Sequence, residues 1–167
     1  MIIKYKNYTN GIHEIFEEEK AKNLGLTEHF KNDIALECRM DKSNHQIILD
    51  CTVKGNAEFS CDRCNEEFEM ELSNSFQVSC FFEEKDTDDD EINIKFLTAD
   101  QDKIDITEEI KDYLLLSIPM KALCDEECKG LCPSCGQNLN ESTCSCSNES
   151  TTSVWEPLKK LKDNLNN

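Results

Sequence analysis

The chain has 167 residues, 18 Lys and Arg against 35 Asp and Glu, a formal net charge of −17, and 38% apolar residues even with eleven cysteines counted among them. A protein that grips phosphates needs clustered cations to displace counterions, so this balance argues against electrostatic nucleic-acid binding and favours basic partners. A core this thin for its length calls for support beyond apolar burial, with one domain and a small appendage as the expected organisation.

No run of about 18 apolar residues is present, and Met1 to Gly11 lacks the charged-then-apolar layout of a signal peptide. A cytoplasmic, membrane-free location is the expectation. In that reducing setting the cysteines read as metal ligands or buried thiols rather than as a disulfide frame.

Stretches at 2–6 and 12–17 carry short strand signals. Ile34, Leu36, Cys38 and Met40 then alternate with Ala35, Glu37 and Arg39, and Asp41-Lys42-Ser43-Asn44 supplies turn residues. Strict alternation resumes at 47–61, where Ile47, Leu49, Cys51, Val53, Ala57, Phe59 and Cys61 share one face. Gly55-Asn56 in its middle predicts a bulge or bend. After Cys61-Asp62-Arg63-Cys64 the apolar parity moves to even numbers, through Phe68, Met70, Leu72, Phe76, Val78, Cys80 and Phe82. The acidic run at 83–91 predicts a solvated loop. Ile92, Ile94 and Phe96 suggest one more strand. At Asp105 the period changes to that of a helix over about 106–117, with Ile106, Ile110, Tyr113, Leu114 and Ser117 on one face, an Asp105/Glu108 capping box, and Pro119 as its stop. Both periodicities vanish from 124 to 146, and a last short helix is predicted with Ser153 as cap, Pro157 in its first turn and Val154, Trp155, Leu158 and Leu161 on its apolar side.

The pattern is that of an α+β, mainly antiparallel β protein: a twisted sheet or partly closed barrel with one packed helix and a C-terminal cysteine-rich, zinc-binding extension. The expected division is a β domain at 1–118 and a cysteine-rich tail at 119–167.

Cys38, Cys51 and Cys80 fall in phase with the buried faces of strands and read as small hydrophobes. The other eight occur as Cys61-x2-Cys64, Cys124-x3-Cys128, Cys132-x2-Cys135 and Cys144-x-Cys146, enough for two four-thiolate sites. Zinc suits them, because four thiolates meet its tetrahedral preference and short loops bring ligand pairs to one ion. In Cys132-Pro133-Ser134-Cys135-Gly136 the turn aims two sulfurs inward, and Gly136 can take the positive φ that a side chain would resist. The preferred division joins Cys61/Cys64 to Cys124/Cys128 and Cys132/Cys135 to Cys144/Cys146. A two-knuckle ribbon of Cys61/Cys64 with Cys132/Cys135 is the rival. Closed sites leave no position for a substrate, so two structural zinc ions are expected, which would take the net charge from −17 to −21. Arg63, Lys121 and Lys129, near the ligands, would soften that excess.

Cys61-Asp62-Arg63-Cys64 followed by Phe68, Ile104-Asp105-Ile106 opening a helix, Leu114-Leu115-Leu116-Ser117-Ile118-Pro119, and Lys129-Gly130-Leu131 before the Cys132 knuckle together resemble the YceD family of large ribosomal RNA subunit accumulation proteins. The resemblance implies a bacterial or plastid protein without enzymatic activity, needed for normal levels of 23S RNA, whose gene often lies beside that of a small zinc-binding large-subunit ribosomal protein. Trp155-Glu156-Pro157-Leu158 stands where many members show an Asp-Pro-Arg type sequence. The function expected is a non-catalytic ribosome-assembly factor that binds a basic large-subunit ribosomal protein or a precursor large subunit. Direct RNA binding through the zinc tail is disfavoured, since residues 118–147 carry only Lys121 and Lys129 against four acids and no aromatic residue. A thiol redox sensor is the third reading, but His13, His29 and His45 lie in no nucleophile motif.

Overall fold

Two-residue apolar alternation builds the body of the protein. In the computed structural model, which describes residues 1–82 and 93–146, five strands form one sheet in the order β2-β3-β4-β5-β6. These are β2 (Gly11–Lys20), β3 (Asp33–Lys42), β4 (Gln46–Ser60), β5 (Glu67–Phe81) and β6 (Ile94–Phe96). The first four pair antiparallel, while β6 runs parallel to β5. The sheet is open rather than a closed barrel. A two-stranded ribbon of β1 (Ile2–Ile3) and β7 (Ile104–Asp105) leads into α1 (Thr107–Leu116). The expected acidic loop at 83–91, Ile92 and the terminal helix around Trp155 lie outside the described residues. No helix among the described residues is long and apolar enough to cross a membrane.

Parity decides the core. Ile34, Leu36 and Met40 of β3, Ile47, Leu49 and Val53 of β4, and Val78 and Cys80 of β5 point to one face and are buried. Ile106, Ile110 and Leu114, spaced four apart, cover that face from the helix. Tyr113 stacks on Phe76 with ring centroids 4.8 Å apart. Asp105 does not close a reciprocal box with Glu108 but accepts from the Thr107 backbone N–H at 3.0 Å and from its hydroxyl at 2.5 Å. The segment between β2 and β3, which carries no regular periodicity, adds Ala21, Leu24, Leu26 and Phe30 to the core.

Two expectations are corrected here. The β4–β5 register runs unbroken through Gly55↔Leu72 and Asn56↔Glu71, so there is no bulge. Gly55 serves close packing instead: a Cβ there would stand 2.6 Å from Cδ1 of Ile34 and 3.1 Å from the Phe30 ring. Cys38 and Cys51, expected as buried thiols, are direct cross-strand partners with Cα atoms 4.1 Å apart and are joined in a disulfide. Their Cα separation is the close approach of facing antiparallel residues, which sets their sulfurs side by side. Cys80 remains a free buried thiol, and burial pushes its pKa up to about 12.

Strands β4 and β5, 15 residues each, run on past the stretch packed against α1. Their far end carries Cys61 and Cys64. The chain leaving α1 runs to the same end, where the Asp62 N–H donates to the Ala122 carbonyl at 2.9 Å and the Ala122 N–H to Asp62 Oδ2 at 2.8 Å.

Candidate metal centre

The two Cys-x2-Cys turns share one backbone design. In the first, the Cys61 N–H donates to the Glu66 carbonyl and the Asn65 N–H to the Cys61 carbonyl, both at 2.8 Å. In the second, the Cys132 N–H donates to the Gln137 carbonyl at 2.8 Å and the Gly136 N–H to the Cys132 carbonyl at 2.9 Å. Each design needs a left-handed residue immediately after the second cysteine. Asn65 at φ 60° and Gly136 at φ 74° fill that place, as the two residue types most tolerant of it. Gly136 was legible from the sequence as that residue; Asn65, in the matching place, was not singled out.

These turns and the tail gather the eight sulfurs into two quartets: Cys61, Cys64, Cys124 and Cys128, and Cys132, Cys135, Cys144 and Cys146. Within each, all sulfurs lie within 4.8 Å of one another. Cys61 and Cys128 sulfurs are 3.8 Å apart and those of Cys64 and Cys124 3.6 Å. Four sulfurs held about 2.3 Å from one ion stand about 3.8 Å from each other, so the spacing fits a tetrahedral thiolate site. The division is the hairpin-to-tail one, and the two-knuckle ribbon is not formed. The first quartet is buried except at Cys124, whereas the second has Cys135 and Cys146 exposed.

The first quartet is braced by residues whose part was not evident from the sequence. Asn140 donates through Nδ2 to the Cys128 sulfur at 3.2 Å and accepts the Lys129 N–H at 2.7 Å. Arg63, expected to offset thiolate charge, sends its guanidinium to the carbonyls of Glu126 at 3.0 Å and Cys128 at 2.8 Å, tying hairpin to tail. Gly130, at φ 73°, brings the chain so close to Arg63 that a Cβ would stand 2.9 Å from the Arg63 carbonyl oxygen. Leu131 then donates its N–H to that oxygen at 3.1 Å.

This geometry separates the thiols electrostatically. Backbone N–H groups of Cys124, Cys64 and Arg63 aimed at its sulfur lower Cys61 to about 6. Those of Cys135 and Ser134 do the same for Cys132, also to about 6. The Asn140 amide lowers Cys128. Loss of water and the neighbouring Cys64, Cys61 and Cys128 sulfurs push Cys124 up to about 12, while the Cys135 sulfur and loss of water push Cys146 to about 12. Lowered thiols stabilise the folded state fully above their ordinary value of 9 and lose that contribution as pH falls through 6. Raised ones destabilise it as pH climbs above 9 towards 12. The metal-free chain is therefore expected to gain stability from pH 6 to pH 9 and lose it beyond. Denaturant titration with chelator present checks this, and a profile flat across that range would contradict the thiol arrangement.

The sequence model of a protein family described as "Large ribosomal RNA subunit accumulation protein YceD" matches residues 49–162, well over half the chain and inclusive of both quartets. The chain belongs to the YceD family. The chain is similar to the "Large ribosomal RNA subunit accumulation protein YCED homolog 1, chloroplastic" of Arabidopsis thaliana, 40% identical over 63 residues that make up 38% of this chain and 20% of that protein. The Zea mays protein of the same name is 42% identical over 67 residues, 40% of this chain and 22% of its own. YlbN of Bacillus subtilis (strain 168) is 31% identical over 103 residues, 60% of this chain and 57% of its own. The matched part thus spans about a fifth of the two chloroplast relatives and little more than half of YlbN. No solved structure matches the chain.

Proposed function

We propose that the chain is a non-catalytic ribosome-assembly factor that supports accumulation of 23S RNA by binding a basic large-subunit ribosomal protein or a precursor particle, with a structural zinc ion in each quartet. The observation that carries this reading is the YceD match across both cysteine quartets. Charge supports the choice of partner: a chain at −17 attracts Lys- and Arg-rich ribosomal proteins and repels bare RNA. The donor set supports zinc: eight cysteine sulfurs in two groups of four, each group within 4.8 Å, with no carboxylate or imidazole among them. Four protein sulfurs per ion leave no open position, so the metal shapes the protein rather than acting on a substrate. Two of the three histidines are engaged in packing or backbone contacts: His29 stacks on Phe59 with centroids 5.1 Å apart, and His13 contacts the Thr9 carbonyl.

The decisive experiment depletes the protein in the cell that makes it and follows ribosomal RNA. A fall of 23S RNA relative to small-subunit RNA, with the tagged protein retaining a basic large-subunit protein at low salt and releasing it as salt rises, is the expected result. Unchanged 23S RNA would refute the proposal. Retention of naked 23S fragments by the purified, zinc-loaded chain would replace it with the RNA-binding reading.

A further inference from the structure

A groove of about 710 Å³ lies between the far end of the β4–β5 hairpin and the segment that follows α1, beside the first quartet but separate from its sulfurs. Its apolar lining comes from Phe59, Phe68, Ile118, Pro119 and Met120. Phe68 packs against the buried Cys61, Cys64 and Cys128 side chains, so the floor is rigidly seated. Met120, in contrast, is fully exposed, which nothing in the packing of the described residues requires.

The rim is predominantly acidic. Glu28, Glu58, Asp62, Glu67 and Glu69 line the groove, and Lys31 is the one Lys or Arg lining it among the described residues. Lys31 is already committed to an ion pair with Glu58. Glu58 and Glu69 are direct cross-strand partners, a like-charge pairing that Lys31 offsets only in part, five carboxylates sharing this one cation. Placing repelling carboxylates around exposed apolar surface is unfavourable for the free protein and favourable once a cation-bearing apolar segment fills the space.

Building on the assembly-factor reading, we infer that this groove is the docking site for the partner: a short Lys/Arg-rich peptide segment that seats an aliphatic or aromatic side chain against Phe59, Phe68 and Met120 while its cations meet Glu67 and Glu69. Phosphate-bearing ligands are repelled by the same rim, so the occupant is a basic protein segment rather than RNA.

The probe is a fluorescein-labelled peptide of alternating arginine and leucine, titrated by anisotropy into the full chain purified with zinc. Two matched peptides serve as controls, one with glycine for leucine and one with glutamate for arginine. Met120 is fully exposed and Glu67 and Glu69 are surface residues, so the thermal unfolding midpoint of M120S should stay at the wild-type value, and that of E67K/E69K, which replaces the Glu58–Glu69 like-charge pair by an opposite-charge one, should not fall below it. The expected result is saturable binding, weakened at least about tenfold by E67K/E69K and about threefold by M120S, and lost with both control peptides. Equal affinity for wild type and both variants, or preference for an RNA oligomer over the arginine-leucine peptide, overturns the inference. Retention of a large-subunit ribosomal protein is measured in parallel with the same variants. If wild type and variants retain it equally, the groove assignment fails and the assembly reading stands. If wild type binds the peptide through the groove but retains no ribosomal protein, the groove stands and the assembly reading fails.

Discussion

Replacing Cys61 or Cys124 by serine is expected to remove one of two metal equivalents and to release the segment from 119 to 146 from the hairpin. The first quartet joins side chains 60 and 67 positions apart, Cys64 to Cys124 and Cys61 to Cys128. Closing so long a loop restrains the unfolded chain more than the short Cys132–Cys146 loop does. A structural zinc site contributes on the order of 10 kcal/mol, comparable with the whole stability of a domain. Cys144→Ser is expected to remove the other equivalent while leaving the junction in place. Elemental analysis with limited proteolysis separates the two cases: cleavage between α1 and Cys124 should accelerate sharply in C61S and C124S and little in C144S. The exposure of Cys135 and Cys146 adds an order of release, the second quartet yielding its metal to a chelator before the first. Equal proteolytic protection in all three variants would remove the first quartet from its role as the staple between sheet and tail.

Gly130→Ala should be the most damaging glycine substitution near the sites. It combines a left-handed φ of 73° with a new Cβ placed 2.9 Å from the Arg63 carbonyl oxygen. That atom belongs to the backbone of the Cys61–Cys64 turn and cannot swing aside, so hairpin and tail must separate locally, at a cost of about 1–3 kcal/mol beyond the conformational penalty. Gly136→Ala provides the internal comparison. At φ 74° with nothing within 4 Å of a Cβ, it meets only the left-handed penalty, about 1–2 kcal/mol. Thermal unfolding of the metal-loaded variants should therefore rank wild type above G136A and G136A above G130A, with a gap of several degrees at the last step. Competition with a chromophoric chelator should show G130A weakening the first site selectively. The reverse ranking would mean that the Gly130–Arg63 approach is not a constraint.

Much of the sheet was legible because strand burial is a local signal. Alternation at Ile47 to Val53 and at Phe76 to Cys80 marks the core face whatever the register, and four-residue spacing of Ile106, Ile110 and Leu114 marks the helix face. Register was harder to read. A turn at Asp41–Asn44 sets Cys38 opposite Ile47, whereas the actual turn, closed by the Ser43 N–H to the Gln46 carbonyl at 2.9 Å, sets Lys42 opposite Ile47 and Cys38 opposite Cys51. Moving the turn by two residues shifts the pairing by four, from Ile47 to Cys51 opposite Cys38, which preserves parity and every burial assignment while changing which cysteines meet. Gly55 misled for a related reason: Ile34 and Phe30, which require its lack of a side chain, come from another part of the chain.

The candidate site divides along the same line. Paired cysteines at turn spacing, and a residue suited to positive φ after a knuckle, are written in adjacent residues, so the sequence alone determined which eight thiols stand apart from the three within strands. Which pair joins which, the brace from Asn140, the redirection of Arg63 to the tail carbonyls and the acidic groove at the hairpin end depend on segments brought together from 60 or more positions away or on contacts across the tail. Those were decided by tertiary structure, because no local periodicity records where a hairpin of two 15-residue strands ends relative to the chain that returns to it.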